Sequence, residues 1–245
     1  MLEVGGLRKA FGSLVVTDGV SFTVERGARE ALIGPNGAGK TTLFNLLSGE
    51  LKPDAGSIRL AGRDITGLSP DRRVKAGLAR SFQRNNLFLD MTVIENLATA
   101  VAVRTGESRA FWRSFAGSKG LKARADALAE SVGLADRRDA LARHLSYGSQ
   151  RQLEIALALA AEPQLLLLDE PTAGMSPEET RSMQRLIAGL PRTLTLLLIE
   201  HDMDVVFEMA ERITVLDYGR VLIQGPPATI RGSAIVKQIY FGEAG

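Results

Sequence analysis

The sequence predicts an α/β protein: a mostly parallel sheet, an antiparallel β region ahead of it, and a block of helices inserted into it. Three observations carry this expectation. Residues 1–30 alternate apolar and polar positions, as short antiparallel strands do. The runs 165–168 and 194–199 are continuously apolar, as expected of strands buried on both faces. Helical patterns alternate with those runs, which is the signature of a parallel sheet covered by helices on both faces.

Taken in order, Leu14-Val15-Val16 and Val20-Ser21-Phe22-Thr23-Val24 read as separate short strands. Residues 30–33 form a further strand that runs into a glycine-rich turn, and residues 40–47 turn helical, with Gly49 placed as a helix stop. From about 92 to 160 the pattern is helical. Thr92 and Glu95 make a capping box before an apolar run, and residues 151–161 are strong helix formers ending ahead of Pro163. After the strand at 165–168, Ser176-Pro177-Glu178-Glu179 supplies an N-cap, a proline at the first helical position and a capping glutamate. The strand at 194–199 is followed by a helix over 204–211. The expected division is a core of residues 1–83 and 161–228, a helical subdomain of 84–160, and a C-terminal tail of 229–245, all within a single domain.

Composition sets limits on function. Apolar residues make up 45% of the chain and charged residues 24%, the balance of a globular protein. The chain has no cysteine, which removes disulfides and thiolate metal sites. Thirty basic residues against 28 acidic ones leave a net charge of +2, which argues against a nucleic-acid partner. The start, Met-Leu-Glu-Val-Gly-Gly, lacks the basic and apolar runs of a signal peptide. Neither apolar run approaches the ~20 residues of a membrane helix. Any transport pathway is therefore expected in other chains.

Gly34-Pro35-Asn36-Gly37-Ala38-Gly39-Lys40-Thr41 matches the phosphate-binding loop G-x-x-x-x-G-K-[ST], followed by Thr42, between a strand and a helix. Its glycines free backbone N–H groups to cradle phosphate oxygens, and the helix N-terminus adds partial positive charge. Lys40 is expected to reach the β- and γ-phosphates of ATP, and the Thr41 hydroxyl to ligate Mg²⁺. Leu165-Leu166-Leu167-Leu168-Asp169-Glu170 puts two carboxylates at the C-terminal edge of a strand, where α/β sheets bind ligands. Asp169 is expected to hold Mg²⁺ through water, and Glu170 to orient the attacking water.

Leu145-Ser146-Tyr147-Gly148-Ser149-Gln150 stands immediately before a helix, a hydroxyl and a bare glycine amide at an anion-binding end. This segment resembles the L-S-G-G-Q signature of ABC ATPases, and its place between the phosphate loop and Asp169-Glu170 is similar too. The resemblance spans essentially the whole chain. It implies that Gln83 contacts Mg²⁺ and water, that His201 contacts the γ-phosphate, and that Phe11 stacks on adenine. It also implies that Ser146, Tyr147, Gly148, Ser149 and Gln150 act in trans on a second subunit's ATP. His144 receives no role.

Phe82-Gln83-Arg84 through Leu97, Leu145 through Ala156, and Ile199-Glu200-His201-Asp202-Met203 together resemble the larger ATPase subunit of branched-chain amino acid importers and of relatives handling amides and organic acids. The tail Ile239-Tyr240-Phe241-Gly242-Glu243-Ala244 is similar to that group's C-terminus. Two departures stand out: Ser149 replaces a glutamine usual in the group, and Ser176 replaces an aspartate common among ABC ATPases. Both serines still suit a helix start. The aromatic and basic stretch 109–119 reads either as a variable surface insertion or as a segment that touches a permease or lipid headgroups.

With one phosphate loop and one signature, the chain cannot complete a site alone. The resemblance implies a second ABC ATPase subunit, different but related or a second copy. It further implies two membrane permeases, a substrate-binding protein acting indirectly, and a place on the cytoplasmic face of the inner membrane. An exporter ATPase, a soluble ABC ATPase of ribosomes or DNA, and a regulatory module without turnover are the rival readings. Length and near-neutral charge oppose the soluble one, and retention of Lys40, Gln83, Asp169, Glu170 and His201 opposes the regulatory one.

Overall fold

The computed structural model describes residues 1–81, 87–106 and 119–241. In chain order the elements are β1 (Leu2–Phe11), β2 (Leu14–Val24), β3 (Arg29–Ile33), α1 (Lys40–Ser48), β4 (Ala55–Leu60), β5 (Arg63–Asp64), α2 (Pro70–Lys75) and β6 (Leu78–Arg80). Then come α3 (Val93–Thr105), α4 (Lys119–Ser131), α5 (Tyr147–Leu159), β7 (Leu165–Asp169), α6 (Pro177–Gly189) and β8 (Thr195–Ile199). The chain continues through α7 (Met203–Met209), β9 (Arg212–Asp217), β10 (Arg220–Gly225), α8 (Pro227–Gly232) and α9 (Ala234–Phe241).

These elements group into two compact units. The first comprises Met1–Leu78, Gln164–Glu170 and Arg192–Gly245; the second comprises Ala79–Pro163 and Pro171–Pro191. The division differs from the expected one in that residues 171–191 group with the helices. The reason is that α6 packs against α5.

In the first unit, β2-β1-β4-β5 form an antiparallel sheet. The two short strands expected at 14–16 and 20–24 are one strand, β2, paired along the length of β1 with register shifts. One extra residue bulges out between Val4 and Leu7 on β1, and β2 carries two, one between Val20 and Thr17 and one between Thr17 and Val15. Such bulges break the alternation that marks a strand in sequence, and so the strand reads as two. The second sheet runs β10-β9-β3-β8-β7-β6, its last strand entering at Leu78 where the chain leaves this unit. Within it, β3 pairs in parallel with both β8 and β9, and β7 in parallel with β8. Every residue of β3, β7 and β8 is buried, as their apolar runs require.

Helix α1 buries Leu43, Phe44 and Leu47 in this core, each contributing about 1.5–3 kcal/mol. Gly49 caps it in the left-handed conformation, as expected. The end of α1 is also held by Arg73, which is 1% exposed. Its guanidinium donates to the Leu46 and Leu47 carbonyls at 2.5 and 2.6 Å, and to Thr66 and Leu68 carbonyls. Positive charge at a helix C-terminus complements the macrodipole. Burial pushes the Arg73 pKa down to about 10.

Glu30, in β3, is 1% exposed, and burial raises its carboxyl to about 7 even though the Gln224 amide donates to it at 3.3 Å. An unfolded chain releases this proton near the ordinary value of 4.5. The stability contributed by the protonated side chain is therefore fully present below about pH 4.5, and it is lost as pH rises through about 7. Glu30→Gln, uncharged throughout, is expected to melt above the parent at neutral pH, with the gap narrowing toward pH 4.5. Calorimetry across that range checks it. A gap independent of pH would show that Glu30 is not the titrating group.

In the second unit, Thr92 and Glu95 form the expected capping box of α3, and Asn96 is buried with its amide bonded to the Phe88 and Thr92 carbonyls. Val101, Ala102, Leu121 and Ala160 make a small apolar core. Helix α5 begins at Tyr147, ahead of the expected start at 151, because the Ser146 side chain accepts from the Ser149 amide. The box of Ser176 and Glu179 starts α6 as expected, with Pro177 in its first turn. In the first unit, α7 stops at Met209 rather than continuing to 211. The Glu211 carboxylate instead accepts from the Arg29 amide at 3.1 Å.

Candidate nucleotide site

Strand β3 delivers the chain into the loop 34–39, and α1 begins at Lys40. Gly39 precedes the helix at φ 97°, and a Cβ there would lie 2.6 Å from the Val16 carbonyl. Only glycine makes this turn, which is why the loop can aim its amides inward. Gly34, Ala38 and Gly39 are buried, Pro35 is half-buried, and Asn36 and Gly37 are exposed. Thr41 is exposed and Thr42 half-buried at the first turn of α1.

Lys40 is 6% exposed, and its ammonium folds back on the loop, donating to the Gly34 carbonyl at 2.6 Å and the Pro35 carbonyl at 3.0 Å. Burial lowers its pKa, while Glu170 and Asp169 pull it upward. The two carboxylates therefore share the electrostatic field of this lysine. Asp169 ends β7 with 2% exposure.

Glu170 follows at φ 49°, in the left-handed region, and its amide donates to the Ile199 carbonyl at 3.0 Å. A non-glycine residue held there stores backbone strain, of order 1–3 kcal/mol, at the point where its carboxylate leaves the sheet. That carboxylate meets His201 just past β8: Oε1 and Nε2 lie 2.5 Å apart. At that distance the two share a hydrogen bond, the carboxylate oxygen accepting when the imidazole carries its proton on Nε2. Glu170 and His201, distant in sequence, are thus brought together. Phe11 is 49% exposed with the Lys9 ammonium 5.7 Å from its ring centre, so it is a surface ring and not core. Gln83 lies outside the described residues, as do residues 109–118.

In the second unit the signature forms the first turn of α5. Ser146 caps it, the Gly148 amide donates to Glu179 Oε1 at 3.2 Å, and the Gln150 side chain donates to the Ala142 carbonyl at 3.2 Å. Tyr147, 40% exposed, receives Arg151 over its ring at 5.3 Å and at its hydroxyl. Three features were not singled out from sequence. They are the contact of Glu179 with Gly148, the left-handed Glu170, and the Tyr240 hydroxyl, which lies at the Gly34 backbone and is pushed up in pKa by burial. Glu179 could be read as a capping residue, but nothing local signals its second contact.

A buried lysine inside a glycine loop, in the field of two carboxylates at the end of one parallel strand, suits the polyphosphate of a nucleotide and little else. This defines a P-loop nucleotide-binding ATPase, and the antiparallel sheet and helical unit mark it as a cassette. The family model described as ABC transporter matches residues 17–173, and the chain belongs to that family. It is 42% identical over 254 residues to the high-affinity branched-chain amino acid transport ATP-binding protein LivG of Salmonella typhimurium, covering 100% of this chain and 98% of the relative. It is 40% identical over 251 residues to the corresponding protein BraF of Pseudomonas aeruginosa, again covering 100% and 98%. A solved nucleotide-free ATP-binding cassette from an ABC transporter superposes with a TM-score of 0.86 at 29% identity, covering 99% of both chains. The ADP conformation of an ATP-binding cassette gives 0.85 at 31% identity and the same coverage.

Proposed function

We propose that this ATP-hydrolysing subunit powers an importer of branched-chain amino acids or of related amides and organic acids. The observation that carries the reading is full-length identity of 40–42% to LivG and BraF, together with an intact set of ATPase residues. Among the described residues no helix is long and apolar enough to cross a membrane. The pathway therefore belongs to permease partners. Two permeases, a second ATPase subunit and an indirectly acting substrate-binding protein complete the assembly we envisage, with this chain on the cytoplasmic face of the inner membrane.

The donor set suits Mg²⁺. The exposed Thr41 hydroxyl and the buried Asp169 carboxylate are hard oxygens, and few in number. That is the choice of an ion which keeps several waters and takes its other ligands from phosphate. Bound there, the ion would neutralise charge on the β- and γ-phosphates. In this reading Lys40 exchanges the Gly34 and Pro35 carbonyls for phosphate oxygens. Glu170 turns from His201 to orient the attacking water, and His201 turns to the γ-phosphate. Phe11 offers its exposed face to adenine, and Gln83 contacts the ion and the water. Ser146, Tyr147, Gly148, Ser149 and Gln150 close over the ATP held by the other subunit.

Membrane vesicles carrying the assembled complex, its binding protein and trapped ATP test the reading. Uptake of radiolabelled leucine or a related solute is expected with the parent chain and is lost with Glu170→Gln. Uptake unchanged by Glu170→Gln would contradict it.

A further inference from the structure

The Glu179 carboxylate serves two helices at once. Oε2 accepts from the Ser176 amide at 3.1 Å and the Ser176 hydroxyl at 3.0 Å, closing the box that starts α6. Oε1 accepts from the Gly148 amide at 3.2 Å, in the first turn of α5. The Ser146 hydroxyl lies at the rim of a cavity beside this carboxylate and donates to Ser149 Oγ at 3.3 Å. A Cβ at position 148 would stand 2.9 Å from Oε1, so glycine is what admits the carboxylate to this amide. The Ser176 amide, then its hydroxyl, then the Gly148 amide hold the Glu179 pKa below the usual carboxylate range, which keeps it anionic at neutral pH. The amide of Gly148 is thus already held by an anion, and that anion is the chain's own.

We propose that Glu179 is an internal stand-in for the γ-phosphate on the signature, which ATP bound to the other subunit must displace before the two cassettes close. The inference rests on the reading that Ser146 and Gly148 meet that phosphate in trans. A carboxylate carries one charge, whereas a terminal phosphate carries up to two and offers more acceptor oxygens, so the phosphate wins the donors. ADP has no such group and leaves Glu179 in place. Glu179 therefore sets how much ATP closure requires and favours the triphosphate over the diphosphate. The displaced side chain has somewhere to go. The cavity, of about 90 Å³, opens beside it, with Gln152 and Ser182 among its lining residues. Turning toward those polar groups, the carboxylate can keep its second oxygen on Ser176.

The test is an MgATP titration of cassette closure in the assembled complex, read by energy transfer between labels on the two ATPase subunits in a Glu170→Gln background. Glu179→Gln keeps a capping-box side chain but removes the competing charge. The ATP needed for half-maximal closure is expected to fall by about fivefold to tenfold, in line with relief of one charge-assisted contact, while ADP affinity stays unchanged. An unchanged or raised ATP requirement would overturn the proposal. If that variant fails to fold, Glu179→Asp, too short to span Ser176 and Gly148 together, carries the same expectation. Ser146→Arg separates the signature's contact in trans from the displacement of Glu179. Closure as in the parent would sink the signature reading itself. Blocked closure, combined with an unmoved ATP requirement in the Glu179 variants, would sink only the displacement.

Discussion

Glu170→Gln is expected to lower steady-state ATP turnover of the assembled complex by about 10²- to 10⁴-fold, the range for loss of a positioned general base. The amide keeps the size of the side chain and can still bond His201, so the site should hold its shape. What it loses is the negative charge that polarises the attacking water. Nucleotide affinity should stay close to the parent's, because Lys40 and the loop amides are untouched. Phosphate release and trapped-nucleotide assays read both quantities. Turnover within a few-fold of the parent would show that Glu170 does not have this role.

Lys40→Ala should weaken MgATP binding by about 10- to 100-fold, the equivalent of one strong charge-assisted hydrogen bond. The lysine is already buried and desolvated in the loop, so its cost of dehydration is largely met before nucleotide arrives. Its removal also leaves the Gly34 and Pro35 carbonyls without their donor, and a modest fall in melting temperature should accompany the loss of affinity. Titration calorimetry on the full chain measures the first effect and thermal unfolding the second. Affinity within twofold of the parent would place the phosphates elsewhere.

Much of this site is legible in the sequence because its chemistry is local. The phosphate loop, the carboxylates after the apolar run, and the boxes at Thr92 and Ser176 each depend on residues a few positions apart. The same is true of the stop at Gly49. The rest depends on contacts that no short window contains. Strand β7 pairs in parallel with β8, with a whole helix between them in sequence, and that pairing brings His201 to Glu170. Strand β2 reads as two pieces because a bulge resets its alternation. Arg73 looks like one of several basic residues in a polar helix until its guanidinium is found buried against the end of α1. Glu179 shows its capping role in sequence, but its second oxygen finds Gly148 only once α6 has packed against α5.

Affinity co-purification from native membranes, with Glu170→Gln and ATP holding the closed state and mass spectrometry identifying what is captured, decides whether this subunit serves transport. Two hydrophobic permeases and a second ATPase subunit are expected in the captured material. Recovery of soluble partners alone, such as ribosomal or DNA-bound proteins, would leave the ATPase chemistry standing and contradict a role in transport.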